Sequence, residues 1–189
     1  MKRTVLIILL TVLAFSRAFS NSDQFLTTEV SLGTGISIYD SSAGDSRKEL
    51  LSQSDYKRIV FGATVDTNLN ICNPLKILLG SDLFCDFLWE KGKYYNTLDY
   101  NFFTGIKFYP SQSGLNFSIS YVLGNRTDFF DEKTNTKSWG NGFRIAIQYD
   151  FMEARAYKVK PNVGAYYRCV PRGNYNTDHI LCLYGGIRF

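Results

Sequence analysis

The stretch TLDYNFFTGIKFY, from Thr97 to Tyr109, decides the fold. In it Leu98, Tyr100, Phe102, Ile106 and Phe108 alternate with Asp99, Asn101, Gly105 and Lys107. Successive side chains of an extended backbone point to opposite sides, so this period of two describes a strand with one apolar and one polar face.

The same period recurs on both sides of it. Upstream, Phe25 to Tyr39 sets Val30, Leu32, Thr34, Ile36 and Ile38 against Glu29, Ser31, Gly33, Gly35 and Ser37. Tyr56 to Asn70 alternates Ile59, Phe61, Ala63, Val65 and Leu69 with Gly62, Thr64, Asp66 and Asn68. Lys76 to Trp89 opposes Leu79, Leu83, Cys85, Phe87 and Trp89 to Gly80, Asp82 and Asp86, although Phe84 and Leu88 interrupt the pattern. Downstream come Leu115 to Gly124, Asn141 to Phe151, Val159 to Cys169 and His179 to Phe189, separated by Asn, Gly, Pro, Asp and Ser clusters. Eight such segments of roughly ten or more residues match the length a tilted strand needs to cross a bilayer. The expected fold class is therefore all-β, an eight-stranded antiparallel up-and-down transmembrane β-barrel.

The connections divide by side. Asp40 to Asp55, Asn125 to Gly140 and Pro171 to Asp178 are longer and polar, and the short Glu90 to Asn96 lies with them. Opposite are tight turns at Ile71 to Leu75 and Pro110 to Gly114, and a longer Met152 to Lys158. Long loops outside and short turns inside are the asymmetry of outer-membrane barrels.

A soluble eight-stranded barrel with an apolar interior has the same alternation, so the residue types on the polar face matter. Glycines share that face with charges of both signs: Glu29, Asp66, Asp82, Asp86, Asp99, Lys107, Arg144, Arg168 and Arg188. Small residues between mixed charges suit a narrow lumen filled by side chains, whereas a soluble surface favours long Lys and Glu. On the apolar face, Trp89, Tyr100 and Phe143 fall toward the long loops and Phe108, Tyr149 and Phe151 toward the turns, as two interfacial girdles would.

The chain has 189 residues, of which 45% are apolar, enough for one domain and incompatible with a disordered chain. Its ends are distinctive. Met1-Lys2-Arg3, the apolar run Val5 to Phe15 and Arg17-Ala18-Phe19-Ser20 read as a signal peptide over residues 1–20, leaving 21–189 as the barrel. Removing Lys2, Arg3 and Arg17 from 21 basic residues leaves 18 against 17 acidic ones, a formal charge of +1. A nearly neutral chain without a Lys/Arg run is not expected to bind nucleic acid.

At the other end, alternating Leu181, Leu183, Gly185, Ile187 and Phe189 close the chain on an aromatic residue. Over Gln24 to Phe189 the sequence resembles the small eight-stranded outer-membrane barrels, the group of outer-membrane proteins X and W, the outer-membrane protein A transmembrane domain and the opacity proteins. The resemblance implies residence in the outer membrane of a two-membrane bacterium, with its lipid and its assembly machinery as partners. It also implies that Leu183, Ile187 and Phe189 form the signal which that machinery reads. Four cysteines depart from what is usual in the group.

Candidate sites follow from the two faces. Glu29 and Arg188 become neighbours when the barrel closes and suit an ion pair, while Asp82, Asp86 and Asp99 have Arg144 and Arg168 as possible partners. Asp82 and Asp86, four residues apart on a strand, lie about 13 Å apart, too far for paired catalytic carboxylates. His179 is the single histidine, placed on the lipid side at the outer rim, with no serine beside it at Ile180 or Leu181. Neither an enzyme nor a metal site is expected. Gly33-Thr34-Gly35 lacks the spacing of a phosphate loop, and no cofactor is expected. Cys72, Cys85, Cys169 and Cys182 fall on mismatched faces, so unpaired thiols are expected. The outer loops offer Arg47, Lys48, Arg126, Phe129, Phe130 and Trp139 as contacts for extracellular or host molecules. Two membrane functions remain open, a scaffold presenting loops and a small conduit for apolar molecules, beside a soluble ligand binder with inverted faces.

Overall fold

A computed structural model describes residues 25–39, 52, 56–72, 74–90, 92–111, 113–130, 133–136, 139–151, 159–173 and 177–189. The segment expected to be a signal peptide, residues 1–20, lies outside them. The strands are β1 (Leu26–Tyr39), β2 (Lys57–Cys72), β3 (Leu75–Glu90), β4 (Lys93–Phe108), β5 (Leu115–Phe130), β6 (Lys133–Thr136), β7 (Gly140–Asp150), β8 (Lys160–Pro171) and β9 (Thr177–Arg188). Every pairing is antiparallel. The order β4-β3-β2-β1-β9-β8-β7-β5 is closed by β4 against β5, and β6 only extends the edge of β5. The described residues contain no helix. Below, the end holding Leu26 and Arg188 is the lower rim, and the opposite end, with the longer connections, is the upper rim.

Closure has a measurable stagger. From Ser37 the paired residues run Ile180, Arg168, Arg144, Ser120, Gly105, Leu78 and Asn68, and return to β1 at Thr27, ten positions below the start. A shear of this size tilts the strands and leaves an eight-stranded interior just wide enough for side chains.

The strands β3, β4 and β5 are each 16 residues long and overshoot the nine to eleven needed to span. Here the structure extends the sequence reading, which ended the fifth strand at Gly124 and began the fourth at Thr97. The ladder continues through Asn96↔Phe129 and Asp99↔Arg126. Above the apolar band Asn96, Asn125 and Thr127 take outward positions, so apolar alternation breaks while backbone pairing goes on. Hydrophobic alternation records contact with lipid rather than the strand itself. The expected connection Glu90 to Asn96 shrinks to residues 91–92, where Gly92 takes the positive φ of 87° that a tight turn needs.

Candidate functional site

The faces separate cleanly. Leu32, Ile36, Ile59, Phe102, Ile119, Ile145, Ile147, Leu181 and Leu183 are exposed on the outer wall. Among outward positions of the eight barrel strands only Lys57, at the upper rim, is charged. On β7 the apolar band runs from Phe143 to Phe151, about 21 Å along the barrel axis once tilt is allowed for. Aromatic pairs mark its limits, Tyr100 with Trp139 at 5.5 Å and Phe143 with Tyr167 at 6.0 Å above, and Tyr149 with Phe151 at 5.2 Å below.

The lumen is filled in three layers. At the bottom, Glu29 accepts bonds from Lys107 Nζ at 3.0 Å, Gln148 Nε2 at 2.9 Å and Asn68 Nδ2 at 3.1 Å. Asp66 accepts from Asn68 at 3.0 Å. Arg188 pairs with Asp150, which also accepts from the Tyr109 hydroxyl at 2.9 Å. Glu29 and Arg188 are cross-strand neighbours, as expected, yet each turns to a partner across the barrel. Side chains directed into a narrow lumen meet opposite walls sooner than they meet their ladder neighbours.

The middle layer is apolar and aromatic. Phe84, Tyr166, Ile180, Cys182 and Tyr184 form one cluster and Leu78, Phe103, Val122 and Val170 another. Phe84 and Leu88, which broke the alternation of the third segment, point into the barrel at 0% exposure. The Arg144 guanidinium lies between the rings of Phe103 and Tyr166, at 4.6 and 4.4 Å from their centroids. Glycine makes room for these rings. A methyl on Gly164 would sit 2.6 Å from the Tyr184 ring, and one on Gly80 2.5 Å from the Phe103 ring.

Above lies a chain of alternating charges. Arg144 faces Asp82 at 4.0 Å. Asp82 and Asp99 share Arg168, the second at 2.9 Å; Asp99 pairs with Arg172 at 2.8 Å, Arg172 with Asp178, and Asp178 with Arg126. Arg126 also holds Asp128 at 3.1 Å. Four arginines alternate with four aspartates. Asn101 Nδ2 donates to both Asp82 and Asp99 at 3.0 Å. Asp86 stands apart, held by Arg58 at 2.8 Å and by the Ser37 hydroxyl at 2.6 Å. Thus Asp82 and Asp86 serve separate partners, and neither is set as an acid or base against the other.

Several loop candidates move. Arg126, expected on an exposed loop, is 1% exposed in the lumen, because β5 continues and its even positions face inward. Phe129 is half-buried on the outer side of β5, and Trp139 packs edge-on against Tyr100 at the upper rim. Arg47 and Lys48 lie outside the described residues, as does the side chain of Phe130. Leu183 and Ile187 face outward on β9, and the Phe189 amide donates to the Thr28 carbonyl oxygen at 2.9 Å. The four cysteines are free thiols. Sequence alone does not point to Arg58, Arg172 or Asp178, and Asp128, like Arg126, reads as an outer-loop residue; carrying the inward parity of Gly124 and Arg168 two or more residues onward reaches Arg126, Asp128 and Arg172.

Replacing Glu29 by Gln keeps the shape and leaves Lys107 buried opposite a neutral amide. The expected loss is about 2–3 kcal/mol, read from urea unfolding in lipid vesicles. Adding Lys107→Met should recover most of it, since both charged partners then leave together.

A closed eight-stranded cylinder with a lipid-facing wall and an ion-paired interior is a transmembrane β-barrel of the outer-membrane type. No family model matches the chain, and no curated protein matches it in sequence. Solved structures match it in fold. Ail, the attachment invasion locus protein of Yersinia pestis, is 10% identical with a TM-score of 0.54, over 86% of this chain and 98% of that one. Its complex with the heparin analogue sucrose octasulfate is 11% identical with a TM-score of 0.56, over 87% and 99%. Neisserial surface protein A is 13% identical with a TM-score of 0.57, over 87% and 96%. An outer-membrane enzyme, PagL, also matches, at a TM-score of 0.45. At these identities the likeness to Ail and to Neisserial surface protein A establishes the fold.

Proposed function

We propose that the chain is an exported, integral outer-membrane barrel whose body is a structural scaffold and whose upper connections meet the environment, as an adhesin or surface antigen does. The observation that carries this reading is the filled lumen. The Arg144 side chain clamped between Phe103 and Tyr166 lies between two ion-paired layers, so the working surface is at the rim. The complex of the Yersinia pestis barrel with a heparin analogue supports an extracellular, polyanionic molecule as one class of partner. Residues 1–20 serve as the export signal in this reading, and Leu183, Ile187 and Phe189, on β9, as the segment read by the assembly machinery. His179 Nδ1 is engaged by the Tyr167 hydroxyl at 2.7 Å on the outer wall.

The test is trypsin treatment of intact cells expressing the full chain, with cleavage sites mapped by mass spectrometry. Cuts at Arg47, Lys48, Lys133 or Lys137 are expected in the outer-membrane fraction, with Lys158 and Lys160 protected. Arg126, buried in the charge chain, should resist. A soluble periplasmic product would overturn the reading. Planar-bilayer recording of the purified barrel should show no conductance steps, whereas steady channels in the folded protein would favour a conduit.

A further inference from the structure

We propose that Cys169 is an acyl acceptor, taking a fatty acyl group from an ester-linked lipid of the leaflet at the upper rim. The proposal rests on the outer-membrane reading above. Cys169 on β8 is the cross-strand partner of His179 on β9 and of Phe143 on β7, so thiol and imidazole sit on the outer wall at the depth of the upper aromatic girdle. That depth is the interface, where lipid esters lie. Tyr167, two residues before Cys169 on the same face, joins them. Its hydroxyl is 2.7 Å from His179 Nδ1, and the two rings lie at 20° to each other with centroids 6.0 Å apart. A nucleophile, a base and a group orienting the base therefore share one outward patch of β8 and β9.

The wall below them is shaped for an apolar chain. An outer groove of about 480 Å³, within the range of small-molecule sites, runs across the strands from Ile106 and Phe117 past Ile145, Ile147 and Ala165 to Tyr167. Ala165 opens it by its small size, and Tyr167 belongs to both groove and relay. An acyl chain in the groove would bring its ester carbonyl to the thiol.

The step balances without any co-reactant. The thiol proton passes to the Tyr167 oxygen as the hydroxyl proton passes to His179 Nδ1. The sulfur then forms a bond to the ester carbonyl carbon, the ester C–O bond breaks, and the imidazolium proton goes to the departing alkoxide. The products are an S-acyl thioester at Cys169 and a lysolipid.

The experiment is intact-mass spectrometry of the full chain taken from outer membranes, before and after neutral hydroxylamine, with lysolipid measured in the same fraction. Expected is a population heavier by one fatty acyl group, reversed by hydroxylamine, absent in Cys169→Ala and kept in Cys182→Ala. Lysolipid release that depends on Cys169 supports the same chemistry when water turns the thioester over. Tyr167→Phe, which keeps the ring packing on Phe143, and His179→Gln should slow acylation about a hundredfold while the heat-dependent mobility of the folded barrel is unchanged. Reconstitution in phosphatidylethanolamine vesicles, with or without lipopolysaccharide, identifies which lipid gives up the chain. A membrane-inserted protein with an unmodified mass and no lysolipid beyond the Cys169→Ala level would overturn this proposal alone. A protein found in the soluble fraction would overturn the outer-membrane reading instead.

Discussion

Arg168→Met is expected to lower the unfolding free energy in lipid vesicles by about 3–5 kcal/mol, the cost of removing one partner from a buried ionic cluster. Arg168 is 1% exposed and is shared by Asp82 and Asp99, themselves 3% and 0% exposed. Methionine matches much of the volume and supplies no donor, so two carboxylates would face each other with only Asn101, Arg144 and Arg172 near them. Urea unfolding followed by tryptophan emission measures the loss. A change below about 1 kcal/mol would show that the charge chain does not act as a unit. Combining Arg168→Met with Asp99→Asn should recover a large part of the loss, because three arginines then face three aspartates, with Arg144 still beside Asp82 and Arg172 beside Asp178.

The second large effect lies on the opposite face of the same wall. Ile147 is exposed at the middle of the apolar band on β7, flanked across the strands by Phe117 and Ala165. Ile147→Arg should cost about 2–4 kcal/mol, as an arginine held at the bilayer midplane does, and Phe151→Arg at the lower girdle only about 0–1. The contrast with Arg144, three residues away and stable inside the lumen, tests the face assignment directly. Equal and small effects at both outer positions would mean that this wall meets water.

Much of this arrangement was legible in the sequence because a barrel strand in a membrane has only two environments. Asp99, Lys107, Arg144 and Arg168 declared the lumen by alternating with Tyr100, Phe108, Ile145 and Tyr167. The pairings inside were not legible. Glu29 and Lys107 are 78 residues apart and meet only across the lumen, a distance that depends on the shear rather than on local pattern. The apolar middle layer was hidden for another reason. Phe84 and Leu88 read as interruptions since apolar side chains beside apolar neighbours break a two-letter pattern whichever face they occupy. The upper extensions of β4 and β5 escape the pattern because Asn96, Asn125 and Thr127 stand at their outward positions, so Arg126 reads as a loop residue with them.

The bottom layer also constrains the order of folding. Glu29 belongs to the first strand and receives bonds from Lys107, Gln148 and Asn162, which are 78, 119 and 133 residues further along the chain. None of these bonds forms until most of the barrel has been laid down, and β1 cannot complete its second ladder before β9 exists. Hairpins such as β2 with β3 gain their ladder locally and early, whereas that carboxylate, beyond its bond from Asn68, gains these distant partners last, at the highest cost in loop closure. The seam between the first and last strands therefore behaves as the final latch. Variants at Glu29 should leave early hairpin formation untouched and act on the slow, all-or-none closing step.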